Sequence, residues 1–264
     1  MHERHRDKQR YFNEQSYTTD RYVIPFVSPF LPVVEGISVL EIGCGHGGNL
    51  KPFLDRGCDV TGLDVNSDDT TTADRLLRDH PYYNRLKLVT KDIYQVSSGE
   101  LGQFDLIVMK DVIEHIPQQE RFMGFVKRFL RADGRIFIGF PPWQMPFGGH
   151  QQVCEHRLLS IAPYTHLLPY SVYEWILKRG GEKPARIDEL LEVKRTGISI
   201  ERLKRILRMQ NYQIEREEFF LINPNYEVKF GLKPRKQIWP LTKLPFFRNF
   251  LTTCCYYLVR QTDR

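Results

Sequence analysis

Cysteine is scarce in this chain and shows no pairing pattern. Cys44, Cys58, Cys154, Cys254 and Cys255 are odd in number, and no two are separated by C-x-x-C spacing. Neither a disulfide framework nor a structural zinc site is expected, and a reducing cytoplasm fits this usage. Long apolar runs are also missing. None approaches the ~18–20 residues needed to cross a bilayer, and the charged first ten residues do not read as a secretory signal. There is no internal repeat or low-complexity tract. The basic residues form no stripe, so no nucleic-acid partner is expected.

What is present is the composition of a globular domain: 264 residues, 41% apolar and 27% charged. The net charge of +6 and pI of about 9.0 are compatible with an anionic substrate or membrane and demonstrate neither. Short apolar runs at 38–42, 59–63, 86–89, 104–109 and 135–140 lack period-2 alternation. That is the pattern of strands buried on both faces. Helix-like segments lie between them; the clearest is 118–132, where Phe122, Phe125, Val126, Phe129 and Leu130 recur at three- and four-residue spacing. Strands alternating with helices predict an α/β fold with a mostly parallel sheet covered on both faces.

Residues 1–36 read as a helical preamble and 37–231 as the main domain. Within that domain, 141–197 form an insertion after the fifth strand, and 232–264 form a basic, aromatic tail. Inside the insertion a helix is expected at 172–178, with loops at Gly180-Gly181 and Pro184. After it, 200–209 reads as a helix, and 212–221 and 226–231 read as two closing strands.

The stretch that carries chemistry is Glu41-Ile42-Gly43-Cys44-Gly45-His46-Gly47-Gly48 at the end of the first strand. Its glycines let the chain turn sharply where open α/β sheets bind ligands. Gly43, Gly45 and Gly48 also satisfy the dinucleotide pattern G-x-G-x-x-G. Glu41 separates the two readings: a carboxylate there would repel a pyrophosphate but suits a ligand bearing an ammonium group or a sulfonium. Asp64 ends the second strand, about 20 residues beyond the glycines, where a carboxylate can accept from ribose hydroxyls. Asp92 follows the third strand and is placed to accept from an adenine amino group. Cys44 and His46 are expected to be loop fillers.

Glu41 to Gly47 resembles the E/D-x-G-x-G-x-G signature of class I S-adenosylmethionine-dependent methyltransferases. Glu114-His115, after the fourth strand, resembles the "EH" segment of the type 11/12 subgroup, which includes the ubiquinone-biosynthesis O-methyltransferases. The resemblance covers roughly 37–140 and continues more weakly to about 231. It implies a Rossmann-like methyltransferase fold with seven strands and a helical insertion after the fifth, and S-adenosylmethionine as cofactor. It further implies that Gly43, Gly45 and Gly47 line the methionine and sugar, with Glu41 near the amino group. Asp64 would hold the ribose, Asp92 and the backbone of Ile93 the adenine. Lys110 and Asp111 would border the sulfonium.

Methyl transfer requires alignment of the nucleophile and exclusion of water, and a general base helps when the acceptor is a hydroxyl. His115, which the resemblance places at the active-site mouth, and His150, at the start of the insertion, are the two candidates. Glu114, His115, His150, Glu155 and His156 show no ligand spacing, so no metal is expected. Phe140-Pro141-Pro142-Trp143 lacks the side-chain acceptor of the amino-methylating Asn/Asp-Pro-Pro-aromatic motif and follows the wrong strand; it reads as a wall of the insertion. The expected acceptor is a small molecule, a glycan or a lipid-linked intermediate. The tail leaves open a peripheral contact with an anionic membrane. A cofactor-binding protein without catalysis and a nicotinamide-dependent oxidoreductase are the competing readings. Oligomeric state is not readable.

Overall fold

The computed structural model describes residues 7–262. Eight strands form one sheet: β1 (Ser38–Ile42), β2 (Asp59–Asp64), β3 (Leu86–Thr90), β4 (Phe104–Lys110), β5 (Leu130–Phe140), β6 (Tyr212–Ile222), β7 (Arg235–Lys236) and β8 (Cys254–Gln261). Their order is β3-β2-β1-β4-β5-β8-β6-β7. The first five run parallel. β8 is antiparallel to both β5 and β6, and β7 is antiparallel to β6. Because β1 neighbours both β2 and β4, the loops leaving β1 and β4 diverge and open a crevice at the strands' carboxyl ends.

Alternate strand residues feed two separate cores. Leu40, Ile107, Ile136, Ile138, Tyr257 and Val259 face one side, where α3 (Gln119–Val126) and α6 (Ile200–Met209) supply Phe122, Val126, Leu203 and Ile206. Val39, Leu106, Val108, Phe137, Tyr256 and Leu258 face the other. That second side is covered partly by the N-terminal segment, where α1 (Lys8–Thr18) runs through a π-helical turn into the helix Ile24–Val27 and buries Phe12, Val23, Phe26 and Val27. The parallel strands alternate in the face they bury, not in polarity, as expected when both faces are covered. α2 (Ser67–Leu77) follows β2.

Several expectations need correction. The sheet has eight strands instead of seven, the extra one being the two-residue β7. Residues 226–231 are not a strand: Asn225–Phe230 form helix α7, ended by Gly231 in the left-handed region. The closing strand lies in the supposed tail, where Cys254 to Val259 are buried as β8 between β5 and β6. The expected helix 118–132 ends at Val126, and a 3₁₀ turn leads into β5 from Leu130. Asp133-Gly134 thus lies inside β5, where the pairing with β4 slips between Phe104 and Leu106. Pro184 opens a helix rather than marking a loop: α5 (Pro184–Thr196) follows α4 (Tyr170–Arg179), and a proline in the first turn lacks only a donor that would be unpaired anyway. The two helices share a small core of Tyr173, Leu177, Ile187, Leu190 and Leu191 with Cys154. No described helix is long and apolar enough to cross a membrane.

Candidate active site

The loop after β1 is shaped by its glycines. At Gly43, φ is +73° and a Cβ would come within 2.7 Å of Val112 Cγ2. Gly48 is closed by a different element: a Cβ there would meet the Phe12 carbonyl oxygen at 2.5 Å and Gln15 Cβ at 2.7 Å. Helix α1 therefore rests on the glycine loop, and a side chain at 48 would lift it. Gly47 faces α2, with Ala73 Cβ 2.9 Å from where its Cβ would be, while beyond Gly45 the space is open.

Asp64 ties this loop to the next. Its Oδ2 accepts from the Gly45 N–H (2.8 Å) and its Oδ1 from the Asn66 N–H (2.9 Å). The N-cap of α2 is Asn66, so Asp64 is not simply a capping residue. Asp92 caps the turn Ile93–Gln95 by accepting from the Tyr94 N–H at 2.9 Å. Between these loops lies a cavity of about 440 Å³, within the range of small-molecule sites. Gly43, Asp64, Asp92 and Ile93 line it, and Leu63, Val65, Ile116 and Phe122 give it apolar walls. Asp111 and His115 close its far side.

Glu41 lies beneath the loop, 1% exposed. Asn49 Nδ2 donates to its Oε1 at 2.7 Å, and Thr19 Oγ1 donates to Asn49 Oδ1, also at 2.7 Å. The other oxygen, Oε2, has no hydrogen-bond partner among the described residues. Burial pushes the Glu41 carboxyl up to about 8, against the lowering effects of Asn49 and Lys110. Lys110, at the end of β4, reaches Asp111 Oδ2 (3.4 Å) and lines a smaller cavity with Tyr11, Glu14, Asn225 and Lys229. Asp111, at φ +59°, borders both cavities.

His115 and His150, 35 positions apart in sequence, meet with ring centroids 5.0 Å apart. Desolvation lowers both imidazoles, His150 to about 4, with the neighbouring His115 adding to the effect on His150. Both are neutral at pH 7 and able to accept a proton. Burial raises the adjacent Glu114 carboxyl well above its usual range, helped by Asp111, and neither of its oxygens has a hydrogen-bond partner among the described residues. Donor atoms of Glu114, His115 and His150 lie within 4.8 Å of one another, a set that suits a first-row divalent ion. Sequence spacing could not show this, because His150 arrives from the insertion.

Of the residues expected from sequence, Gly43, Asp64, Asp92, Ile93, Asp111 and His115 line the larger cavity. His150 joins it through His115. Glu41 and Gly45 support it from behind, Gly47 packs on α2, and Lys110 faces the smaller cavity. Sequence reasoning missed Asn49, the partner of Glu41, and Tyr11, which α1 brings to the cavity beside Lys110 and whose ring meets His46 edge-on. His46, read as a loop filler, does not line the larger cavity; its Nε2 lies 3.0 Å from Asp69 Oδ1. Nothing in the local text of residues 8–18 signals that Tyr11 lines a cavity beside Lys110.

Residues 40–136 match the family model described as a methyltransferase domain. Among curated relatives, the ubiquinone biosynthesis O-methyltransferase of Glaesserella parasuis is 31% identical over 109 residues, which cover 39% of this chain and 44% of that protein. The enzyme of the same name from Pelagibacter ubique is 24% identical over 178 residues, 64% of this chain and 65% of that one. The human thiol S-methyltransferase is 29% identical over 130 residues, 48% of this chain and 52% of the relative. The chain thus spans less than half the length of several of these relatives, 29% for the bovine mitochondrial ubiquinone biosynthesis O-methyltransferase. Among solved structures, a putative sarcosine dimethylglycine methyltransferase from Galdieria sulphuraria aligns at TM-score 0.59 with 12% identity, covering 93% of this chain and 86% of that one. Magnesium protoporphyrin IX methyltransferase from Synechocystis, solved with S-adenosylhomocysteine bound, aligns at 0.55 with 15% identity, covering 94% and 84%. Residues 40–136 are therefore similar to a methyltransferase domain, and the fold is the Rossmann-like one of these solved methyltransferases.

Proposed function

We propose that the protein transfers the methyl group of S-adenosylmethionine to a hydroxyl oxygen of a small molecule, glycan or lipid-linked acceptor. The observation that carries this reading is one glycine-edged cavity lined by Asp64 and Asp92, at and just beyond the ends of two neighbouring strands, with Glu41 buried beneath the glycine loop that borders it. The residues fit the cofactor. Glu41 keeps one buried oxygen without a partner, which an ammonium group would satisfy, and the backbone at Gly45 leaves open space for a close ligand. Asp64 and the turn at Asp92 and Ile93 would take the ribose and the base, against apolar walls. When bound, the cofactor supplies an activated methyl on a sulfonium sulfur. His115 or His150, neutral at working pH, takes the acceptor's proton or orients its hydroxyl.

A nicotinamide dinucleotide fits less well. Its anionic pyrophosphate beside Glu41 would hold that carboxyl protonated and give its bare oxygen no cation. A cofactor-binding protein without catalysis would share the cavity but has no use for paired neutral imidazoles at its mouth. Calorimetric titration with S-adenosylmethionine, NADH and an Asp64→Ala variant tests the reading. Micromolar binding of the methyl donor alone, lost in the variant, is expected. A folded, cofactor-free sample that does not bind the methyl donor overturns the proposal.

A further inference from the structure

The apolar residues of the segment 232–261 divide sharply in the fold. β8 is buried, whereas the lobe before it presents Trp239 (72% exposed), Phe247 (71%) and Phe246 (67%), with Ile238 and Leu244, to solvent. This is not a slack loop. Glu201, at the start of α6, accepts from the Phe246 N–H (3.1 Å), Arg248 Nε (3.0 Å) and Asn249 Nδ2 (2.6 Å). Asn249 is fully buried, and its Oδ1 accepts from the Ile200 N–H at 2.9 Å. The network fixes a turn in which Phe246 sits at φ +66°, an outlier for a bulky side chain. Buried polar groups thus hold two adjacent phenylalanines outward.

The charge that the lobe's own residues carry has one sign, with Glu201 taken up by Arg248 and Asn249 beneath it. No acidic residue occurs between Glu227 and Asp263, and Lys233, Arg235, Lys236 and Lys243 are exposed, Lys236 also reaching Glu218. Topology puts the lobe on the functional edge of the sheet. β8 is antiparallel to β5 and pairs Cys255 with Phe140, so the chain entering Cys254 lies where β5 ends, on the edge that carries Asp111 and His115. The lobe also touches the insertion that holds His150: Tyr164 Oη donates to the Phe250 carbonyl oxygen at 3.3 Å.

We infer that residues 232–251 dock on an anionic lipid surface, with the aromatic side chains at headgroup level, the lysines and arginine against lipid phosphates, and the acceptor mouth turned toward the bilayer. Aromatic tips backed by basic residues are the chemistry of interfacial binding. A second copy fits less well, because a two-fold contact through this patch would set like charges against each other. That docking serves delivery of a lipid-linked acceptor rests on the proposed methyl transfer; the docking itself does not.

The test is co-sedimentation of the full chain with phosphatidylcholine vesicles and with mixed phosphatidylcholine–phosphatidylglycerol vesicles. Binding to the mixed vesicles is expected, weakening as salt rises and falling at least ~10-fold in Phe246→Ser/Phe247→Ser. Lys233→Glu/Lys243→Glu should lose the preference for the anionic lipid. An unchanged unfolding midpoint certifies each variant as folded. Three results overturn the inference: a wild type that stays in the supernatant at low salt, a phenylalanine variant that binds like wild type, or a concentration-dependent dimer that Phe247→Ser abolishes. Loss of cofactor binding with vesicle binding intact would sink the functional reading and leave this one standing.

Discussion

A single carboxyl group sets much of this site's electrostatics. Glu41 ionises near its usual pH in the unfolded chain but only at about 8 in the fold, because burial penalises its charge. Between those values the folded state holds a proton that the unfolded state has lost, so this group's contribution to stability falls as pH rises, by about 1.4 kcal/mol per pH unit. Glu41→Gln should therefore be the more stable apoprotein at pH 8, by a few kcal/mol, with the difference vanishing near pH 4.5; denaturant unfolding at the two pH values measures it. The same variant should bind S-adenosylmethionine at least ~10-fold more weakly, since it cannot become anionic beside an ammonium group. For the histidines, alanine at either 115 or 150 should lower turnover by ~10²–10⁴ if that residue is the base, with cofactor affinity nearly intact in both. Turnover should also survive a chelator. Full activity in the double variant would end the general-base reading. Activity lost to chelation and restored by a divalent ion would assign Glu114, His115 and His150 to a metal instead.

Among the elements, β8 and the lobe before it have opposite energetic weights despite similar composition. Tyr257 is fully buried and stacks with Phe140, while Phe247, ten residues earlier, is largely in solvent. Tyr257→Ala should cost about 3–5 kcal/mol through loss of burial and the cavity left behind, and Phe247→Ala should stay within about 0.5 kcal/mol. Thermal unfolding of the two variants makes the comparison. Helix α1 depends likewise on a neighbour far from it in sequence: it sits on Gly48 and reaches across to α2, where Lys8 Nζ donates to Thr72 Oγ1.

On the scale of the molecule, the chain's last described strand is an internal one. β8 fills the position between β5 and β6, so β6 and β7 have no route to the parallel strands without it. A chain stopped before Cys254 should lose cooperative unfolding altogether, not merely an appendage, and a denaturant titration of the truncated protein would show a broad, low-amplitude transition. The antiparallel return also places the exposed lobe on the ligand edge of the sheet. If β8 ran parallel, its preceding loop would emerge at the opposite edge, away from His115 and His150.

Local text was enough for the parallel half of the fold and for several residues that line the larger cavity. Strand residues buried on both faces read as short unbroken apolar runs, and glycines at a strand end, followed by an acid at the end of the next strand, announce a ligand crevice through backbone geometry alone. Asp64 and Asp92, which line the larger cavity, were legible as candidates because one ends a strand and the other lies just beyond one. The closing strand was not. Cys254 to Val259 is an apolar run like any other, and whether it enters the sheet or lies outside depends on an unfilled edge of β5 that only the folded chain presents. Tertiary structure alone brought Asn49 to Glu41, laid α1 on Gly48 and set His150 beside His115. In each case the partners come from different elements, and their meeting depends on packing that has no local signature.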